Sequence, residues 1–157
     1  MNKKFELTEE YKNIKGAKVF RIKALKDFDD VKTGDLGGFI ESEKNLSQEG
    51  KCWVYGEAIV LHDSKITENA KIFDRVKISE RANIHGNARI YGGTEVLDRA
   101  EVYDNATICN HAIVRGMAKI YGHAEVYGPA WVGDEALVYG YGEVYGNSIV
   151  DGNMEIC

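Results

Sequence analysis

The sequence predicts an all-β fold in which short parallel strands wind into a solenoid, and three features of one repeat predict it. From Val54 to Ile156 every sixth residue is Val or Ile, eighteen times in succession. Four places after each aliphatic residue a small side chain recurs, which is Ala in 11 of 17 cases. Two places after it the chain has Gly nine times and Asp four times. A period of six excludes an amphipathic helix, whose apolar spacing alternates three and four.

Each hexapeptide is interpreted as one short strand followed by one corner. The small residue and the aliphatic residue both point inward, because alternate side chains of a strand lie on the same side. Gly, Asp and Asn suit the corner because they tolerate a positive φ. One such strand cannot bury its apolar side alone, so successive strands must stack as coils.

These hexapeptides resemble those of the hexapeptide-repeat proteins, as in VYGEAI (54–59), IHGNAR (84–89) and IYGHAE (120–125). The resemblance covers residues 52–157. It implies a left-handed parallel β-helix of triangular section with three hexapeptides per coil. The repeat domain then has about six coils, and residues separated by three hexapeptides stack on one another.

Residues 1–51 break the period and are predicted to form an N-terminal β cap over the first coil. Alternation of apolar and polar residues predicts a strand at 17–23, after a turn at 13–16 and an earlier strand near Phe5. Because an exposed coil edge is a template for aggregation, covering it is the expected role of this region.

Two further features concern the end of this N-terminal region. Leu36 precedes Val54 by the length of three hexapeptides, so 36–40 are predicted to begin an irregular first coil. The segments 21–28 and 32–47 resemble the start of uncharacterised hexapeptide proteins of phages and prophages. That second resemblance implies a phage or prophage origin and no particular activity.

Composition and charge exclude several classes of function. The formal net charge is −5. Residues 1–51 contain 11 Lys or Arg and 10 Asp or Glu, and the rest of the chain contains 9 and 15. No basic face therefore indicates a nucleic-acid partner. Three widely spaced cysteines predict neither a disulfide framework nor a zinc cluster. The polar N-terminus and the absence of a long apolar run predict no export signal and no membrane span. We therefore expect a cytoplasmic protein, in the host cytosol if the chain is phage-encoded.

The outward positions of the second of the three faces are unusually apolar. Such a patch usually marks an interface, so we expect a homo-oligomer, a trimer in preference to a dimer. The alternative is that the N-terminal segment folds back over this face. The residues assigned to the interface are Ile59, Leu61, Leu97, Ile113, Trp131 and Ile149.

Arg81 and Arg99 occupy the same corner one coil apart, and Arg115 points outward on the following coil. Guanidinium groups at ~5 Å spacing repel unless an anion or an acidic side chain lies between them. One hypothesis is therefore that the three arginines bind a phosphate or carboxylate ligand at the rim of the oligomer contact. The alternative is pairing within the same wall, with Glu80, Asp98 and Glu101.

Relatives in the hexapeptide-repeat family include acyltransferases with a catalytic His and trimeric zinc carbonic anhydrases, so the histidines require attention. They are His62, His85, His111 and His123. Acyltransferase relatives usually have an extended loop that interrupts the repeats, and this sequence has none. Carbonic anhydrase relatives have two histidines close together on one strand, and here no two histidines are so placed. We expect no catalytic residue, no metal site and no cofactor.

Three functions remain after these exclusions. The first is a non-enzymatic oligomeric binding or scaffold protein of phage type, which sequesters a host protein or a small anionic, nucleotide-like ligand between subunits. The second is a self-assembling structural protein, and the third is a hexapeptide acyltransferase. The repeat pattern alone does not choose among them.

Overall fold

The computed structural model describes residues 2–157, and its N-terminal part is a β-hairpin followed by a shorter strand. Strand β1 (Phe5–Ile14) pairs antiparallel with β2 (Ala17–Ala24), and β2 pairs antiparallel with β3 (Leu36–Ile40). Lys15 and Gly16 make the hairpin turn with φ of 49° and 89°. A 3-10 helix (Glu43–Asn45) follows β3.

The rest of the chain consists of eighteen two-residue strands, one in each hexapeptide. They are β4 (Trp53–Val54), β5 (Ile59–Val60), β6 (Lys65–Ile66), β7 (Lys71–Ile72), β8 (Lys77–Ile78), β9 (Asn83–Ile84), β10 (Arg89–Ile90), β11 (Glu95–Val96), β12 (Glu101–Val102), β13 (Thr107–Ile108), β14 (Ile113–Val114), β15 (Lys119–Ile120), β16 (Glu125–Val126), β17 (Trp131–Val132), β18 (Leu137–Val138), β19 (Glu143–Val144), β20 (Ile149–Val150) and β21 (Glu155–Ile156).

These strands form three parallel sheets, which are the three faces of a left-handed β-helix of about seven turns. The first face runs from β4 to β19 and the third from β6 to β21, each with six strands. The second face has nine strands, because β3, β2 and β1 extend it beyond β5. The predicted fold class is confirmed, and the N-terminal hairpin is continuous with one wall of the helix.

Aliphatic and small side chains fill the interior of the coils. Every Val or Ile of the repeat from Val54 to Val138 is fully buried, and each Ala of the small-residue position is also at 0% exposure. Each aliphatic residue lies opposite its counterpart in the next coil, as Val96 does with Val114. At about 25 cal/mol per Å² of apolar surface removed from water, this interior stack is the main source of stability.

The first turn does begin in the predicted segment, but its register differs from the prediction. Phe39 pairs with Ile59, which makes this turn two residues longer than a regular coil, and Leu36 is exposed instead of stacking on Val54. The two extra residues are absorbed in a bulge before β4, where the amides of Lys51 and Cys52 both donate to the carbonyl of Glu68. The spacing of the later coils therefore does not extend back to this turn.

Aromatic residues of the N-terminal region cover the start of the first face. Trp53 is 1% exposed, with the ring of Phe5 at 6.3 Å and that of Phe28 at 5.3 Å, both edge-on. Nearby, Asp29 pairs with Lys71 and Tyr55 donates a hydrogen bond to Asp30 at 2.7 Å. Trp53 is thus a core residue, although its sequence position is an outward one.

Within residues 2–157 no helix has the length and apolar character that crossing a bilayer requires.

Replacing Ile108 by Asp should unfold the middle coils, because an unpaired charge would be buried between two aliphatic neighbours. We expect a loss of about 3 kcal/mol or more from a total stability of ~5–15 kcal/mol. Thr107→Asp, at the outward position of the same strand, is the matched control and should change stability by about 0.5 kcal/mol or less. Urea unfolding compares the two, and equal losses would contradict the inward assignment.

Candidate functional site

Arg81 and Arg99 share a hollow at the corner that joins the second and third faces. Each follows a residue with positive φ, Glu80 at 61° and Asp98 at 59°. The corners stack directly, because the Arg81 amide donates to the Asp98 carbonyl at 2.8 Å. The hollow measures about 400 Å³, and Glu80, Asp98, Gly116 and Met117 line it together with the two arginines. The structure therefore brings these two predicted site residues together.

The two acidic residues of this corner differ in their contacts, and only Asp98 is hydrogen-bonded elsewhere. Asp98 Oδ2 accepts a hydrogen bond from the Gly116 amide at 2.9 Å and lies 3.5 Å from Arg115 Nε. Glu80 Oε1 lies 3.6 Å from His62 Nδ1, but this nitrogen accepts the Glu80 amide, so no hydrogen bond within the described part of the chain holds the Glu80 carboxylate. Neither Arg81 nor Arg99 forms an ion pair with any carboxylate of residues 2–157. Their guanidinium groups therefore keep donors that no carboxylate of residues 2–157 occupies.

The third arginine of the predicted cluster lies apart from the other two. Arg115 is paired with Asp98, and its guanidinium carbon lies 5.8 Å from the centre of the Trp131 ring. These contacts attach Arg115 to the second face, next to the hollow and outside its lining. It contributes to the site through Asp98, whose charge it offsets.

The N-terminal hairpin covers one end of the predicted oligomer interface. Leu61 is 2% exposed and packs with Val19 and Phe39, and Ile59 packs against the same group. Leu61 is therefore a core residue of the single chain and is not available to another copy. The covering takes place because β1 and β2 extend the same sheet and turn apolar side chains toward its first strands.

The rest of the second face is open. Leu97, Ile113 and Trp131 are half-buried, and Ile149 is 63% exposed. The Trp131 ring lies over Gly133, where a β-carbon would come within 2.7 Å of it. The apolar surface of this face is thus confined to its middle and C-terminal coils, beside the arginine hollow.

A histidine–carboxylate pair on the third face was not anticipated from the sequence. His85 Nε2 lies 2.7 Å from Glu101 Oε2, and Nδ1 lies 3.8 Å from Glu68 Oε1. The His85 ring stacks on Tyr103 at 5.0 Å, and the column continues through Tyr121. The sequence did contain a signal for this pair. His85 directly follows Ile84, Glu101 directly precedes Val102, and Val102 stacks on Ile84 in the next coil. The two outward side chains are therefore diagonal neighbours.

The first face has a groove of about 550 Å³ where its aromatic column is interrupted. Tyr127 stacks on Tyr145 at 5.6 Å, but Cys109 takes the place of a ring in the coil before Tyr127. A hydrogen bond with the Cys109 thiol raises the pKa of Tyr91, which also lines the groove. Arg89 borders the groove.

The other histidines have structural surroundings of their own. The His111 ring lies against Gly93, and the His123 ring stacks on Tyr141 at 5.0 Å. His62 accepts a hydrogen bond from the amide of Glu80. No three side chains of His, Cys, Asp or Glu within residues 2–157 converge as metal ligands would.

Comparison with known proteins gives one partial similarity. No family model matches the chain. A stretch of 54 residues is 41% identical to part of a protein of Escherichia coli (strain K12) named uncharacterized acetyltransferase YdcK. The match covers 30% of this chain and 17% of that protein, so the chain spans less than a fifth of its relative's length. The solenoid and this similarity together fit the hexapeptide-repeat superfamily.

Truncating Leu61 should test which part of the second face belongs to the core. Leu61→Ala leaves a cavity under the hairpin and is expected to cost about 2–5 kcal/mol of unfolding free energy. Ile149→Ala, on the open part of the same face, should cost about 0.5 kcal/mol or less. Denaturant titration at low protein concentration measures both, and a reversed order would contradict the placement of the hairpin.

Proposed function

We propose that this chain is a non-enzymatic oligomeric binding protein that holds a small anionic ligand between Arg81 and Arg99. The observation that carries the proposal is the pair of unpartnered guanidinium groups one coil apart in a single hollow. A volume of about 400 Å³ is within the usual range of small-molecule sites, roughly 300–1,000 Å³.

The chemistry of the hollow favours a phosphate or carboxylate ligand. Guanidinium groups bind such anions in a planar, two-pronged arrangement that a lysine ammonium cannot reproduce. Coils are ~4.8 Å apart, so two linked anionic groups, as in a pyrophosphate, match the two arginines. The Met117 side chain adds an apolar surface at the edge for the uncharged part of the ligand.

An oligomer would complete this site, because the hollow is open on its outer side. The remaining apolar residues of the second face adjoin it, and a second copy packed there would cover one wall of the hollow. A trimer is the arrangement that we propose. If the chain is phage-encoded, as its N-terminal resemblance implies, the ligand is a host nucleotide or an acidic host protein.

Acyl transfer is a second candidate, and two observations favour it. One is the name of the partially similar acetyltransferase, and the other is the pair formed by His85 and Glu101. In such a reaction His85 would take the proton of the attacking acceptor, and Glu101 would hold the ring in position. The anionic groups of an acyl-coenzyme A donor would then be the ligand of the arginine hollow.

Removing both guanidinium groups should abolish anion binding without affecting the fold. We expect Arg81→Gln with Arg99→Gln to weaken the binding of inorganic pyrophosphate by roughly 10- to 100-fold, measured by calorimetry at low salt. Arg75→Gln, at a different corner, is the matched control and should bind as the parent does. Equal binding by the double variant and the parent, or no binding by the parent, would rule out the site.

The acyl-transfer candidate makes a separate prediction. With acetyl-coenzyme A and a panel of amine and hydroxyl acceptors, the parent should release free thiol. His85→Gln should lower the rate of that release at least 10-fold. His123→Gln is the control for loss of a stacked histidine. No release by the parent would exclude this candidate and leave the binding proposal unaffected.

A further inference from the structure

Lys4 has an unusual position at the N-terminal end of the solenoid. Its residue exposure is 0%, and its Nζ lies 2.8 Å from the carbonyl oxygen of Cys52 and 3.3 Å from those of Glu49 and Gly50. The same atom lies 3.3 Å from Cys52 Sγ. No carboxylate of residues 2–157 pairs with it. The amine and the thiol are thus in direct contact inside the protein.

The surroundings hold this pair in place. The Phe28 ring centre lies 5.0 Å from Lys4 Nζ, and Cys52 Sγ lies 3.6 Å from the carbonyl oxygens of Ser47 and Glu49. These groups come from segments packed on the first coil. Together they fix the nitrogen and sulfur atoms as neighbours.

Burial also shifts the pKa of both groups. Removal from water lowers the pKa of Lys4, which favours the neutral amine, and raises the pKa of the Cys52 thiol. A buried ammonium without a counter-charge is costly. A reaction that converts the amine and the thiol into one neutral group would remove that cost.

We propose that Lys4 and Cys52 form an oxidative modification site, at which dioxygen joins Nζ to Sγ through one bridging oxygen atom. The amine gives up one hydrogen and the thiol gives up its hydrogen. One atom of dioxygen forms the N–O and S–O bonds, and the other leaves as water with those two hydrogens. Nitrogen and sulfur each lose two electrons, and the two oxygen atoms gain the four.

Geometry favours an oxygen bridge over a direct bond between nitrogen and sulfur. Lys4 Nζ and Cys52 Sγ are 3.3 Å apart. For one oxygen atom to bridge them, the two atoms need to move closer by less than one bond length. A direct N–S bond, such as condensation of a sulfenic acid gives, requires a much larger approach. Dioxygen is small and uncharged, so burial excludes it less than it excludes charged oxidants.

The bridge would fasten the N-terminal hairpin to the first coil. It links positions 48 residues apart and so restricts the unfolded chain in the way a disulfide does. Of the three cysteines only Cys52 has a lysine amine beside it, since Cys109 contacts Tyr91 and Cys157 is exposed at the last coil.

Mass spectrometry of the full chain tests the proposal. After purification in air, the intact mass should exceed that of the reduced chain by the mass of one oxygen atom minus that of two hydrogen atoms. Excess dithiothreitol should reverse this gain. Tryptic digestion should yield residues 4–12 joined to residues 52–65, because a bridged Lys4 is not cleaved. Cys109→Ser and Cys157→Ser should keep the gain, whereas Cys52→Ser and Lys4→Gln should lose it.

The melting temperature of the parent chain provides a second test, which does not depend on whether the variants fold. The air-oxidised parent should melt roughly 5 °C or more above the same sample after reduction. An unchanged mass in air would overturn the proposal. So would a loss of two hydrogens without oxygen, or an added oxygen found on a cysteine of uncrosslinked peptides.

Discussion

Backbone hydrogen bonds between successive coils are the interaction on which the rest of this structure depends. An outward residue donates its amide to a carbonyl of the next coil, as Glu95 does to Ala112 at 3.0 Å. Since the offset between donor and acceptor is constant from Trp53 onward, every inward Val or Ile of the repeat meets its counterpart one coil away. The same offset arranges the outward side chains in columns, so any site on this surface is assembled from residues of adjacent coils.

The corners carry a second interaction that shapes the candidate site. Asp98 occupies a left-handed position, and its carboxylate accepts the amide of Gly116 in the next coil at 2.9 Å. Asp74 does the same with Gly92 at 3.0 Å. A carboxylate used in this way is a structural part of the corner, which leaves the neighbouring Arg99 without a partner. The repeat therefore explains both the choice of Asp and Gly and the free guanidinium group of Arg99.

The part of the fold that follows from a strict period was predictable from the sequence. The inward positions, the corner residues and the stacking of Arg81 on Arg99 all follow from the repeat of three hexapeptides per coil. The irregular N-terminal region was predictable only as strands. Its contacts bury Trp53 and Leu61, two residues that the period assigns to the outside.

The pairs across the surface were harder to predict than the columns. His85 and Glu101 lie on adjacent coils, and their side chains meet diagonally across the third face. The Lys4 and Cys52 contact joins a segment without any repeat to a bulge in the first coil. The repeat places His85 and Glu101 as diagonal neighbours, whereas no period relates Lys4 to Cys52, so only the three-dimensional structure reveals that second contact.

The urea unfolding midpoint of two insertion variants tests the register of the coils most directly. Duplicating residues 97–114 adds one complete coil, and duplicating residues 96–114 adds one residue more. The coil-stacking account predicts that the first variant unfolds at the parent's midpoint or above. It predicts that the second loses about 3 kcal/mol or more, because the added residue interrupts the constant offset between adjacent coils at the junction, where no bulge such as the one before β4 accepts it. Equal midpoints for the two variants would contradict it.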